Sequence, residues 1–313
     1  MARRRKNKNQ KVILFAIIFL GISLFLFSYY HEEIINFFID NKTINDKDEN
    51  KKPNNNKDKD IDKEENKEPS NVYKKYKHYK KENLNRYNAY KTKNPKLTDE
   101  QVVTRVNMGL DYDFYGYIHD TDMSKDNLIL VNKYLKLASD YEPDDLEEIS
   151  DDCFINGNIY VRKMRKEAKE HFEQLSRDSI KNGTPVYGQS AYREYSRQEG
   201  LYNNAVKNMG VEAADDDTAR PGHSEHQTGL TLDVSSTKAG NMMNFHNTES
   251  YKWMLDNAHK YGFILRYTKG YEDIHGFMYE SWHFRYVGVK VATDMHDNYP
   301  GLTYDEYYYM FID

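Results

Sequence analysis

One cysteine in 313 residues, Cys153, leaves no possibility of a disulfide within the chain, so stability must come from a buried core or a metal. The thiol sits in Asp151-Asp152-Cys153-Phe154, with no neighbour that would activate it as a nucleophile. The first eleven residues contain no acid but carry Arg3, Arg4, Arg5, Lys6, Lys8 and Lys11, and no charge at all follows from Val12 to Tyr30. At about 1.5 Å per residue that charge-free run reaches roughly 28 Å as a helix, enough to cross a bilayer's hydrocarbon layer. Neither an Ala-x-Ala-like cleavage site nor a cysteine for lipid attachment follows it, so an uncleaved anchor is expected in place of a signal peptide. The basic flank is expected to stay in the cytoplasm, which makes this a single-pass protein of the cell membrane with everything beyond Tyr30 outside.

Residues 41–70 have no aromatic side chain and are almost wholly Asn, Asp, Glu and Lys. Such a stretch buries too little apolar surface to offset its ordering entropy and reads as a flexible tether. Its mixed charges, and the outside location, exclude nucleic acid as an expected partner, and no obligate protein partner is evident. From Asn71 to Lys93, Tyr73, Tyr76, Tyr79, Tyr87 and Tyr90 recur among lysines at roughly helical spacing. A helical stalk and a contact with anionic wall polymer both fit. The expected division is a basic tail at 1–11, a transmembrane anchor at 12–30, a polar linker at 31–80 and one catalytic domain at 81–313.

Within the domain, Val161, Met164, Ala168, Phe172 and Leu175 predict an amphipathic helix ending near Gly183. A strand is expected over 184–188 and a second helix from Glu194. A third helix fits Tyr251, Leu255, Ala258 and Tyr261, stopped by Gly262 in the left-handed conformation. The period then changes to two, predicting strands at 263–267, 277–279 and 283–287. The fold class is α+β, an antiparallel sheet with flanking helices.

No helical His-Glu-x-x-His occurs, so a metal site must be sought elsewhere. In residues 224–233, Leu230 and Leu232 alternate with Thr231 and Asp233, which puts the leucines into the core and Asp233 on the opposite face. A turn made possible by Gly229 brings His226 beside Asp233. Later, Glu280 stands three residues before His283, which opens a strand. Two histidines and an aspartate form a three-ligand zinc set with a fourth position left for water, although eleven histidines in the chain also allow local hydrogen-bonding roles. By itself Arg193 reads by default as a surface ion-pair partner of Glu194 or Glu199, and Trp282 either walls a pocket or fills the core.

These segments, with Leu130 to Lys133, Asp140 to Pro143, Ser190 to Arg193 and Gln198, resemble the VanY-like D-alanyl-D-alanine carboxypeptidases, relatives of lysostaphin-type endopeptidases and the hedgehog domain. The likeness spans roughly Leu84 to Val291. It implies one Zn2+ held by His226, Asp233 and His283, Glu280 as catalytic base, Arg193 as the arginine that binds substrate or oxyanion, and Ser224 and Gln198 as polar groups of the substrate pocket. The implied activity is D,D-carboxypeptidase cleavage of peptidoglycan stem peptides. Ala191, Glu194 and His275 depart from the usual family residues, which leaves an L,D-carboxypeptidase open. A zinc-containing wall-binding module without turnover is a third reading, and His275 is expected in a solvated loop and not among the ligands.

Overall fold

The structure, a computed structural model, describes residues 71–155, 157 and 161–313. The anchor and tether expected from the sequence lie outside these, and among the described residues no helix is long and apolar enough to cross a membrane. Residues 71–80, expected to belong to the linker, are among the described residues and pack onto the helices that follow. Tyr73 is buried against Tyr87, with ring centroids 5.4 Å apart, in a cluster with Val102, Val103 and Val106. Of the tyrosines for which stalk and wall contact both fitted, Tyr73, Tyr76 and Tyr79 pack with Tyr87 and Tyr90 of α1 (Leu84–Lys93) and with the valines of α2 (Asp99–Met108). Thr98 and Gln101 start α2 with reciprocal caps, and Gly109 ends it.

Two small ribbons follow. β1 (His119–Asp120) pairs in parallel with β2 (Leu135–Lys136), and β3 (Leu146–Glu148) pairs antiparallel with β4 (Lys163–Arg165). The latter corrects one expectation: Met164 belongs to a strand, and the amphipathic helix α3 begins at Lys166 and runs to Lys181. Its buried stripe, Ala168, Phe172 and Leu175, keeps the predicted spacing.

The main sheet is antiparallel, in the order β5 (Tyr187–Ser190), β6 (Thr231–Ser235), β8 (His283–Tyr286), β7 (Phe263–Leu265). One face packs Leu232, Val234 and Phe284 against Phe172 and Leu175 of α3. Between β5 and β6 come α4 (Tyr195–Met209) and α5 (Val211–Asp217), and α6 (Glu249–Asn257) precedes β7. As expected, Gly262 is left-handed, at φ 82°, where the turn after α6 ends. Residues 277–279 are not a strand. Met278 donates to Asp216 O at the end of α5, which holds this segment as a loop away from the ladder. The short α7 (Glu272–His275) precedes that loop, and α8 (Gly288–Asn298) and α9 (Tyr304–Phe311) complete the chain.

Candidate active site

Alternation along β6 and β8 sends Thr231 and Asp233, and His283 and Arg285, to the face opposite the leucines. Asp233 is paired directly with His283 across the two strands. The polar face is not solvated: all five residues of β6 are buried. His226 comes from the turn Glu225–Thr228, which Gly229 closes at φ 68°. A Cβ there would lie 2.8 Å from Leu146 Cδ2, so both conformation and space call for glycine.

Backbone bonds assemble the rest. Arg193 N donates to His226 O (3.1 Å), which sets the loop after β5 against the histidine turn. Ala191 O accepts from His226 Nδ1 at 2.6 Å, so Nδ1 carries a proton and Nε2 is the atom turned to Asp233 Oδ2, 3.4 Å away. His283 Nδ1 lies 3.2 Å from Asp233 Oδ1 and 3.4 Å from Glu280 Oε2. His226, Asp233 and His283 offer ligand atoms within 4.8 Å of one another, and all three are buried. Donor atoms of two imidazoles, available once both rings are neutral, and of a carboxylate thus converge on one spot, an arrangement that suits Zn2+ and leaves room for a further ligand. A second group, His259, His296 and Asp297, is equally close. Its imidazoles stack at 3.7 Å and 14°, however, so their in-plane lone pairs lie in nearly parallel planes and cannot converge on one ion.

Burial disfavours a charged Asp233, but His226 and His283 outweigh it and hold the carboxyl well below the usual range. Burial and the nearby Asp233 push Glu280 up to about 7, with His283 and Arg193 opposing. Burial opposes protonation of His283, yet the carboxylates around it raise the ring to about 9. One small site therefore holds a carboxylate kept ionised beside one poised near neutrality.

Arg193 points into the same cleft, 3.9 Å from Asp233 Oδ2. Among the described residues Asp233 is its ion-pair contact, not Glu194 or Glu199. Gln198 Oε1 accepts from Arg193 Nη1 at 2.8 Å, while the amide nitrogen of Gln198 donates to Ala219 O and Thr218 Oγ1. Gln198 is therefore anchored through its amide nitrogen and orients the guanidinium through its oxygen. Ser224 lines the cleft, as does Trp282, which also packs on the core. The cavity has a volume of about 290 Å³, with Met242, Met243 and Phe277 on its apolar side. His275 is buried, contrary to the solvated loop expected. Phe277 N donates to its Nδ1 and its Nε2 donates to Thr268 O, so both nitrogens brace the loop. Cys153 is buried with its thiol pushed up to about 11 by burial, chiefly, which does not suit a nucleophile.

Sequence reasoning assigned no role to Glu225, Arg266, Arg285 or Asp305, which form a buried ion network beneath the site. The available signal was Arg285, a charge inside a strand two residues past His283 and on its face.

The sequence model of the VanY family, described as D-alanyl-D-alanine carboxypeptidase, matches residues 161–289. YodJ of Bacillus subtilis (strain 168) is 41% identical over 192 residues, 60% of this chain and 70% of that protein. A D-alanyl-D-alanine carboxypeptidase of Enterococcus faecium is 34% identical over 186 residues, 57% of this chain but only 56% of its own length. Among solved structures, the LdcB LD-carboxypeptidase, described in terms of peptidoglycan recognition, aligns with a TM-score of 0.58 and 39% identity over 62% of this chain and 90% of that one.

Proposed function

Because this chain belongs to the VanY family of carboxypeptidases, we propose that it is a zinc-dependent carboxypeptidase that releases C-terminal D-alanine from peptidoglycan stem peptides, with D-Ala-D-Ala termini as its substrate. The observation that carries this reading is the convergence of His226, Asp233 and His283 with Glu280 and Arg193 on one cleft. His226, Asp233 and His283 would hold the zinc ion, which would supply Lewis acidity toward the scissile carbonyl and the attacking water.

Glu280 does the proton work. Lining the cleft, 3.4 Å from His283 Nδ1, it accepts a proton as water adds to the carbonyl carbon and returns it to the departing D-alanine nitrogen as the C–N bond breaks. Arg193, held by Gln198 and Ser190, places a fixed cationic fork at the same cleft, suited to the developing oxyanion or to the substrate's terminal carboxylate. Buried walls limit water and strengthen each of these interactions.

A base so placed argues against a zinc module used only for binding, which requires ligands and nothing more. An L,D-carboxypeptidase is the second reading, favoured by the LdcB likeness, which covers most of that enzyme. The two differ in the configuration of the penultimate residue, so pocket shape and not the ligands must discriminate. Pentapeptide and tetrapeptide stems given side by side test this: release from the pentapeptide supports D,D activity, and release from the tetrapeptide alone moves the enzyme to the L,D class. We further propose that residues 12–30 tether the domain at the outer face of the cell membrane, a reading supported by their charge-free run.

A further inference from the structure

Beneath the ligands lies a group of charges that the proposed reaction does not use. Glu225, fully buried, sits in the histidine turn next to His226. One of its oxygens, Oε1, accepts from Arg266 Nε at 3.0 Å and from Arg285 Nη1 at 2.9 Å. The other, Oε2, faces Thr231 Oγ1 at 3.4 Å and His283 Nε2 at 3.7 Å. Each arginine is anchored independently of Glu225. Arg285 donates to Ile129 O, Asn127 O and Tyr286 O, and Arg266 donates to Asp305 Oδ2 of α9 at 2.6 Å. The carboxylate is thereby fixed from behind, with one oxygen left for the histidine side.

His283 has the complementary need. Its Nδ1 is turned toward Asp233 and Glu280, while its Nε2 is buried without a hydrogen-bond partner among the described residues. The ring is confined by Tyr267, with centroids 4.7 Å apart, and by the edge of His226 at 5.1 Å. An imidazole that binds a metal through one nitrogen carries its proton on the other, and a carboxylate facing that N–H sets the tautomer and increases the ring's basicity.

We propose that Glu225 is a positioning residue for His283, holding the proton on Nε2 so that Nδ1 is the metal-binding atom, with Arg266 and Arg285 holding Glu225 in place. Through Asp305, the C-terminal helix α9 becomes part of the metal site's support. This inference rests on reading His226, Asp233 and His283 as zinc ligands.

Glu225→Gln keeps the shape but leaves one acceptor where two are needed, so a donor must face either the guanidiniums or His283. Zn2+ affinity of the full chain, measured by competition with a chromophoric chelator, should fall roughly 10- to 100-fold. The unmutated, zinc-loaded chain gives a second readout that does not depend on the variant folding: long-range nitrogen–proton NMR should find the His283 proton on Nε2. An affinity within about twofold of wild type, or a proton on Nδ1, overturns the proposal alone. A wild-type chain that binds no Zn2+ overturns the ligand reading and this inference with it.

Discussion

Asp233 and His283 stand opposite each other on β6 and β8, and the register that pairs their backbones also brings Oδ1 and Nδ1 to 3.2 Å. Two of the three candidate ligands are thus placed by the sheet itself, the part of the fold least able to shift. The third, His226, depends on a turn, and the turn depends on one glycine.

Gly229→Ala should therefore act on stability and site together. Forcing an alanine to φ 68° costs about 1–2 kcal/mol, and its methyl group presses on Leu146. Denaturant unfolding should register that loss, with weaker Zn2+ binding alongside it. Unchanged stability would mean that the turn is not under the constraint described.

Glu280→Gln removes the proton acceptor but none of the candidate ligands. D-Alanine release should drop by roughly 10²- to 10⁴-fold while zinc content, measured by atomic absorption, stays at the wild-type level. Full activity in this variant would show that the base has been misassigned.

For Arg193→Lys the charge is preserved and the planar fork lost. Turnover should fall by about 10²-fold or more with metal content intact, because Gln198 and Ser190 are arranged for a guanidinium. If steady-state kinetics find no change, Arg193 has only a structural role.

Deleting residues 71–80 tests where the domain begins. Loss of Tyr73 from its cluster with Tyr87 and Val102 should cost about 3 kcal/mol, visible as a lower thermal midpoint of the domain. An unaltered midpoint would return this segment to the linker.

The juxtaposition of Asp233 and His283 was legible because each lies in a short motif whose strand alternation fixes its face, whereas His226 depends on the turn closed by Gly229. Leu230, Thr231, Leu232 and Asp233 alternate cleanly, and so do His283, Phe284, Arg285 and Tyr286. The fate of the polar face was not legible, since alternation cannot distinguish a face open to water from one covered by distant chain. Here the cover is supplied by Glu225 and by Asp305, bonded to Arg266 from another helix. The same limit explains residues 277–279, whose strand-like pattern yields to a bond from Met278 to the end of α5. It also explains Met164, at helical spacing from Ala168 yet claimed by pairing with Glu147.

The measurement that tests the account most directly is D-alanine release from defined pentapeptide stems by the purified chain, before and after a chelator and again after Zn2+ is restored. The account predicts release that stops on chelation and returns with Zn2+. Release that continues undiminished in the metal-stripped protein would contradict it.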